Sequence, residues 1–292
     1  MLVFSSVLWL LGGAFAATAL AAPAPCPVNP VRMGVEPGEA IQVLAPVMDQ
    51  IGDLISKRLG CPVKVLITEN YTSEIEAMRA GHLEFAEFGP FGYVLAHEVA
   101  NAQVFAVHAD ANHKPVIYFA SIVAPKPTDI KTLADVEGHT FAYSDPASTS
   151  GHIFPAYALK KAGVDPDTGI KGVYAGSHTA SFEALRNHKV QAGELNSSTI
   201  RVATSGGEYK ADDYLTLWKS DPIPGDAMAV RGDLPADLQA RIEAAVLSVD
   251  LSNIDDPMHI ISGKTWVPQT DGAYDVIRDV AKTLHLDLSA MR

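Results

Sequence analysis

The chain has 292 residues, 48% of them hydrophobic, and carries a formal net charge of −12. This length and composition exclude a disordered chain and allow a large core with room for two lobes. The acidic balance and the lack of a Lys/Arg run argue against nucleic acid or an anionic membrane surface as a partner.

The first 22 residues predict an export signal. They are apolar and end in the small-x-small pattern of a signal-peptidase site, with cleavage expected near Ala21 or Ala22. A membrane anchor is the alternative, although the segment is barely long enough to span a bilayer. The segment lacks the Lys or Arg that usually precedes such a stretch. We expect a periplasmic protein.

Beyond the signal, strand-like runs alternate with helical patterns, which is typical of an α/β fold with helices on both faces of a sheet. The first part predicts strands at 31–35, 63–68, 83–88, 104–108 and 116–123, and helices at 41–59, 73–80 and 90–101. A crossing at 124–129 leads into a second part. This part predicts strands at 140–143, 172–174, 190–193 and 215–218, and helices from Pro155 to Gly163 and at 180–187. The chain then returns at 223–226 and ends with helices at 236–249 and 272–284.

The two cysteines occupy matched positions. Cys26 precedes the strand at 31–35 much as Cys61 precedes the strand at 63–68. If the two strands are parallel neighbours, both sulfur atoms lie at one edge of the sheet, and an oxidising compartment favours a disulfide between them.

A hydroxyl-rich turn is the most informative local motif. Ser148, Thr149, Ser150 and Gly151 deliver the chain into a helix with Pro155 in its first turn. Free backbone N–H groups, the positive end of the helix dipole and the hydroxyls then face one point, which suits a tetrahedral anion. The alternative is an ordinary serine/threonine helix cap.

Three further helix starts have the same character. They are Asn70-Tyr71 ahead of a Ser73/Glu76 capping box, Phe88-Gly89-Pro90, and Gly176-Ser177-His178. Each alone is more often structural than functional. In an α/β sheet, however, such turns gather where the strands end, and together they predict an anion-binding cleft that needs no Arg.

With these motifs, the chain from about residue 31 to its C terminus resembles the substrate-binding proteins of phosphonate/phosphite ABC importers. The Ser-Thr-Ser-Gly turn and the Ile223-Pro224-Gly225-Asp226 element are the most specific parts. The resemblance implies a two-lobed periplasmic-binding-protein fold of type II, with the ligand cleft between lobes joined by two hinge crossings. Lobe 1 would comprise 26–123 and 227–292, and lobe 2 would comprise 124–226.

The resemblance also implies the ligand site. The ligand would be a small phosphorus oxyanion: a phosphonate, 2-aminoethylphosphonate or phosphite. Ser148, Thr149, Ser150 and His178 would hold its oxygens, while Tyr71 and the turn at Phe88, Gly89 and Pro90 would line the pocket. Asp226 would face the other end of the ligand. It would select a protonated oxyanion or an amine, unless it only caps a turn.

One departure concerns the acid that meets an amino group in some members of that family. The corresponding region here is Gly193-Glu194-Leu195-Asn196-Ser197-Ser198, with Ser198 at the expected position. Glu194 could replace that acid if the loop is shorter. Glu87 is unusual beside Phe88, and is either a second acid or a surface group.

The partners implied by the resemblance are an ABC permease and ATPase complex in the membrane, with the binding protein itself a monomer without cofactor or metal. A phosphate-binding protein and a receptor that feeds a sensor kinase are the alternatives within the same fold. An enzyme is disfavoured because the sequence has no Gly-x-Ser-x-Gly elbow and no evident group to orient His178. A metal receptor is disfavoured because His97, His108 and His113 match no compact ligand motif.

Overall fold

A computed structural model describes residues 26–291, so the predicted export signal at 1–22 lies outside the described residues. Within 26–291, no helix combines the length and apolar character needed to cross a bilayer. The strands are β1 Val31–Val35, β2 Val63–Ile67, β3 Phe85–Phe88, β4 Ala102–Ala109, β5 Ile117–Tyr118, β6 Ser121–Pro125, β7 Thr140–Tyr143, β8 Lys171–Tyr174, β9 Ala192–Glu194, β10 Tyr214–Lys219, β11 Ile223–Pro224, β12 Ala227–Arg231 and β13 Thr265–Pro268. The α-helices are α1 Ile41–Leu59, α2 Tyr71–Arg79, α3 Pro90–Ala100, α4 Phe154–Lys161, α5 His178–Arg186, α6 Ser197–Ser205, α7 Ala236–Leu247 and α8 Asp275–Leu284.

The first sheet has the strand order β13-β4-β12-β3-β1-β2. Its strands β1, β2 and β3 are parallel, and β12 runs antiparallel to both β3 and β4. Helices α1 and α7 cover one face and helices α2, α3 and α8 cover the other, each over its own apolar core. Helix α1 forms because its apolar residues recur every three or four positions, and it ends at Gly60, whose positive φ of 70° suits glycine.

The second sheet has the order β10-β6-β9-β7-β8. Helix α4 packs on one face of this sheet, and helices α5 and α6 pack on the other. The short strands β5 and β11 pair with each other where the chain passes between the two sheets. This arrangement confirms the expected type II fold with two α/β units and two crossings.

The structure shifts or splits several predicted elements. The run at 116–123 is two strands, β5 and β6, so the proposed lobe boundary at 123/124 falls inside β6. Helix α2 begins at Tyr71 rather than at 73, because the Asn70 side chain caps it by accepting a hydrogen bond from the Ser73 amide at 2.8 Å. Sequence reasoning missed α6, β12 and β13.

The structure joins Cys26 and Cys61 in a disulfide, which confirms the expected pairing. Strands β1 and β2 are parallel neighbours, with Val31 opposite Val63. The bridge therefore ties together the starts of two adjacent strands across a separation of 35 residues.

Removing this bridge is expected to destabilise the protein without changing its fold. Closing a loop of this length in the unfolded chain contributes about 2–4 kcal/mol to the free energy of unfolding. Urea denaturation of the Cys26→Ala/Cys61→Ala double variant measures the loss. Reductant should lower the stability of the wild-type protein to a similar extent and leave the variant unchanged. Equal urea midpoints for the oxidised wild type and the variant would contradict the prediction.

Candidate functional site

The candidate site is a cavity of about 160 Å³ at the edge where the two sheets face each other. Residues 36–39 follow β1, Gly89 follows β3, and Asp226 immediately precedes the antiparallel strand β12. Residues 148–150 follow β7, and His178 follows β8. One water needs roughly 10–15 Å³ in the same measure, so the cavity accommodates a ligand of several heavy atoms.

The hydroxyl-rich turn 148–151, here called the cradle, opens a π-helical turn at Thr149–Ile153 that continues into α4. Ser148 caps this turn, and its hydroxyl oxygen accepts a hydrogen bond from the Gly151 amide at 3.1 Å. The first backbone N–H groups of such a turn have no acceptor within the helix. Ser148, Thr149 and Ser150 of the cradle line the cavity, and a helix start of this kind suits an oxyanion.

Gly151 is required by close packing behind the cradle. A Cβ atom at this position would lie 1.7 Å from the Ser144 hydroxyl oxygen and 2.8 Å from Cε1 of His178. No side chain fits in that space. The glycine of the Ser-Thr-Ser-Gly motif thus lets the turn approach both the sheet and the histidine.

His178 begins α5 and contacts both the cradle and a buried acid. Its Nδ1 lies 2.9 Å from Oε1 of Glu194, and its Nε2 lies 3.3 Å from the Ser148 hydroxyl. Burial disfavours the imidazolium, but the ion pair and hydrogen bond with Glu194, together with Glu39, outweigh it and raise the pKa of His178. The Glu194 carboxylate accepts from Nδ1, which leaves Nε2 directed towards the cradle, and the raised pKa favours the form in which Nε2 also carries a proton.

Other contacts fix the remaining hydroxyls of the cradle. The Thr149 hydroxyl oxygen accepts a hydrogen bond from the Phe91 amide at 2.7 Å. Phe91 lies on α3, which packs against the first sheet. The Ser150 hydroxyl oxygen accepts one from the Asn196 side chain at 3.2 Å. The Tyr118 hydroxyl interacts with both Thr149 and Ser150. A hydroxyl whose oxygen accepts a hydrogen bond can still donate its own proton, so Thr149 and Ser150 have the chemistry to donate to an acceptor in the cavity.

The side of the cavity that belongs to the first sheet is acidic. Asp226 lines the cavity and is accessible from it. Surrounding protein and the neighbouring Glu87 raise its pKa to about 7, against the opposing effect of His108, His178 and Arg201. Glu36 lies nearby and accepts a hydrogen bond from the Gly89 amide at 2.8 Å. Burial, followed by repulsion from Glu74, raises the pKa of Glu36 well above its ordinary value.

Glu87 and His108 form a pair behind Asp226. His108 Nε2 lies 2.8 Å from Oε1 of Glu87, and the His108 ring lies over Trp266 with ring centroids 3.7 Å apart. Glu87 is therefore a partner within the site rather than a surface group. None of the described residues that line the cavity is Lys or Arg, and His108 and His178 are the basic side chains among them.

Most residues predicted for the site line the cavity together: Tyr71, Gly89, Ser148, Thr149, Ser150, His178 and Asp226. Phe88, Pro90 and Glu194 do not. Phe88 and Pro90 are both buried, and the side chain of Phe88 lies in the core shared by α2, α3 and α8. Glu194 lies behind His178 and is 1% exposed, so its place in the structure is as the partner of that ring.

Sequence reasoning missed several lining residues, including Glu36, Glu39, Tyr118 and Asn196. Asn196 had a local signal, since it caps α6 by accepting a hydrogen bond from the Thr199 amide. Glu36 and Glu39 stand in a polar turn after β1 and give no signal of their own. Within residues 26–291, no cluster of His, Cys, Asp and Glu has the arrangement of a metal site.

Comparison with known proteins places the chain among transport proteins. A family described as "ABC transporter, phosphonate, periplasmic substrate-binding protein" matches residues 33–273. The phosphate-import protein PhnD of Mycolicibacterium smegmatis is 27% identical over 270 residues, covering 86% of this chain and 84% of that protein.

Two solved structures share the fold. A binding protein component of an ABC phosphonate transporter from Pseudomonas aeruginosa superposes with a TM-score of 0.77 at 24% identity, covering 88% of this chain and 87% of that one. PhnD1 from Prochlorococcus marinus, in complex with methylphosphonate, superposes with a TM-score of 0.76 at 20% identity, covering 88% and 98%.

Proposed function

We propose that this chain captures an aminoalkylphosphonate such as 2-aminoethylphosphonate for import. The proposal starts from its family, because the chain belongs to the periplasmic substrate-binding proteins of phosphonate ABC transporters. Membership of this family makes the chain an extracytoplasmic binding protein of an ABC importer rather than an enzyme. The identity of the ligand is the proposed part.

One observation carries this choice of ligand. Asp226 presents a carboxylate to the cavity from the first sheet, while the cradle presents hydroxyls and N–H groups from the second. Glu36 and Glu87 lie close to Asp226 and add further carboxyl oxygens to this end of the cavity. A zwitterionic ligand matches both ends of the cavity, because its phosphonate group accepts hydrogen bonds from the cradle and its ammonium group pairs with Asp226.

The oxyanion end would be held without Arg or Lys. Ser148, Thr149, Ser150 and the Nε2–H of His178 would donate to the phosphonate oxygens, together with the first amides of the π-helical turn. Tyr71 lies at the same end of the cavity, since a Cβ atom at Gly38 would be 3.2 Å from its hydroxyl and 3.9 Å from the His178 ring. Its aromatic ring would pack against the ligand.

A second candidate is a small ligand such as phosphite or methylphosphonate. Ser198 supports it, since this residue lines the cavity at the position where the family resemblance places an amine-binding acid. In that case Asp226 would accept a proton from P–OH instead of pairing with an ammonium group. Its pKa of about 7 suits a carboxyl that shares a proton with an anion.

The wider assignment follows from the same family. We propose an export signal at 1–22, a lobe 1 of 26–123 and 227–292, and a lobe 2 of 124–226. The first boundary moves ahead of β6, so that Ser121–Pro125 belongs wholly to lobe 2. The monomer would deliver its ligand to a membrane permease and ATPase. Ligand held by groups from both lobes would draw them together.

Calorimetric titration of ligand-stripped mature protein tests the choice of ligand. The panel is 2-aminoethylphosphonate, methylphosphonate, phosphite, phosphate and sulfate at neutral pH. We expect 2-aminoethylphosphonate to bind at least tenfold more tightly than methylphosphonate, which equals about 1.4 kcal/mol. A preference for phosphite or methylphosphonate would favour the second candidate, and a preference for phosphate would reject both.

A further inference from the structure

Glu39 connects the two proposed lobes beside the cavity. It lies just ahead of α1, and its carboxylate accepts hydrogen bonds from the Thr179 hydroxyl at 2.6 Å and the Thr199 hydroxyl at 3.0 Å. Thr179 belongs to the first turn of α5 and Thr199 to the first turn of α6. The carboxylate therefore meets the positive ends of two helix dipoles in addition to the two hydroxyls.

Backbone contacts reinforce this junction. The Ala40 amide donates to the Thr179 hydroxyl oxygen at 3.0 Å. The His178 amide donates to the Gly38 carbonyl at 2.9 Å. Thr179 thus accepts from residue 40 while donating to Glu39, which fixes the position of its hydroxyl proton. These contacts place the start of α1 directly against the start of α5.

Arg201 makes a second junction from the opposite direction. It lies on α6, shortly after Thr199, and its guanidinium donates to the His259 carbonyl at 2.8 Å and the Ile260 carbonyl at 3.2 Å. It also donates to the Ser262 hydroxyl at 2.9 Å. The neighbouring residues Ile260 and Ile261 line the cavity, so this junction adjoins the ligand site as well.

We infer that Glu39 and Arg201, with Thr179, Thr199 and the segment 259–262, form an interlobe clasp that holds the cleft closed around its ligand. Glu39 is a positioning residue in this clasp. It keeps the start of α5, and with it His178, against the first lobe. The inference rests on capture of an anion in this cleft, but not on which anion is captured.

The clasp predicts a kinetic effect. Glu39→Ala removes two hydrogen bonds to a charged acceptor that exist only when the lobes meet, so it should raise the ligand dissociation rate by about 10- to 100-fold. The association rate should change little. Stopped-flow measurements would use whichever of 2-aminoethylphosphonate and methylphosphonate binds the wild type more tightly. Glu98→Ala, which removes an exposed acid of α3, is the matched control.

A double-mutant cycle separates the clasp from a direct ligand contact. Thr199→Val removes one donor to Glu39 and should add little to the effect of Glu39→Ala, because both break the same contact. Amide exchange of His178 should be faster in Thr199→Val and Glu39→Ala than in the wild type, with or without ligand. This readout stands even if no panel member binds.

Unchanged dissociation and unchanged His178 exchange in both variants would overturn the clasp. Additive effects of Glu39→Ala and Thr199→Val would overturn it too, since the two residues would then act separately. The proposal that the ligand is an aminoalkylphosphonate is tested by a different result, namely the order of affinities of the wild-type protein for the panel of ligands.

Discussion

Replacing Ser148 and Thr149 together with alanine is expected to weaken binding of 2-aminoethylphosphonate and methylphosphonate alike, by on the order of a hundred- to ten-thousand-fold. Each hydroxyl that donates to a charged oxygen contributes about 1.5–3 kcal/mol, and the two losses fall on one phosphonate group. Ser148 also organises the turn, since its hydroxyl accepts from Gly151 and contacts His178. Calorimetric titration of the double variant gives the loss directly.

Thr149→Ser is the matched control for the cradle. It keeps the hydroxyl that accepts from the Phe91 amide at 2.7 Å and removes only a methyl group, so it should bind within a few-fold of the wild type. The far-ultraviolet circular dichroism and cooperative unfolding of the double variant should match the wild type. A folded double variant with wild-type affinity would remove the cradle from the binding site.

The cradle was predictable from sequence because its chemistry is local. Hydroxyl residues, a glycine and a proline within a few positions specify a helix start whatever the rest of the chain does. The disulfide was predictable for a related reason, because matched positions before two strands become neighbours once the strands are parallel. In both cases a short pattern determines the contact.

The acidic side of the cavity was less predictable because it forms through long-range pairing. Glu87 and His108 are far apart in sequence, and β12 lies between the strands that carry them. The side chains of a strand alternate between faces, so Glu87 points to His108 while Phe88 points into the core. Phe88 was predicted to line the cavity because it precedes Gly89. The alternation of side chains along β3 instead turns the Phe88 side chain into the core.

Glu39 of the clasp could not be predicted from the sequence for the same reason, because its contacts are long-range. Its partners, Thr179 and Thr199, are 140 and 160 residues away. Thr199 lies on α6, a helix that sequence reasoning missed, because Ser197–Ser205 is rich in serine and threonine, which are weak helix formers. Only the folded arrangement brings the acid to the starts of both helices.

Asp226→Asn is expected to change which ligand is preferred. Loss of the carboxylate removes the proposed partner of the ammonium group, so affinity for 2-aminoethylphosphonate should fall about 10- to 100-fold. Affinity for methylphosphonate should change by no more than a few-fold, because the cradle remains intact. Asp221→Asn, an exposed acid in the nearby crossing, is the matched control. Equal losses for both ligands in Asp226→Asn would remove the selective role of this residue.

The pH dependence gives an independent check on Asp226. Its pKa is raised from the ordinary value of 3.8 to about 7 in the ligand-free protein, so it contributes stability that is lost as pH rises through about 7. Asp226→Asn should therefore gain stability relative to the wild type as the pH rises from about 4 to about 8, as measured by urea denaturation. Binding of 2-aminoethylphosphonate should show the opposite trend, because only the ionised carboxylate pairs with ammonium. Wild-type affinity relative to methylphosphonate should increase from pH 6 to pH 8, and this increase should be absent in Asp226→Asn.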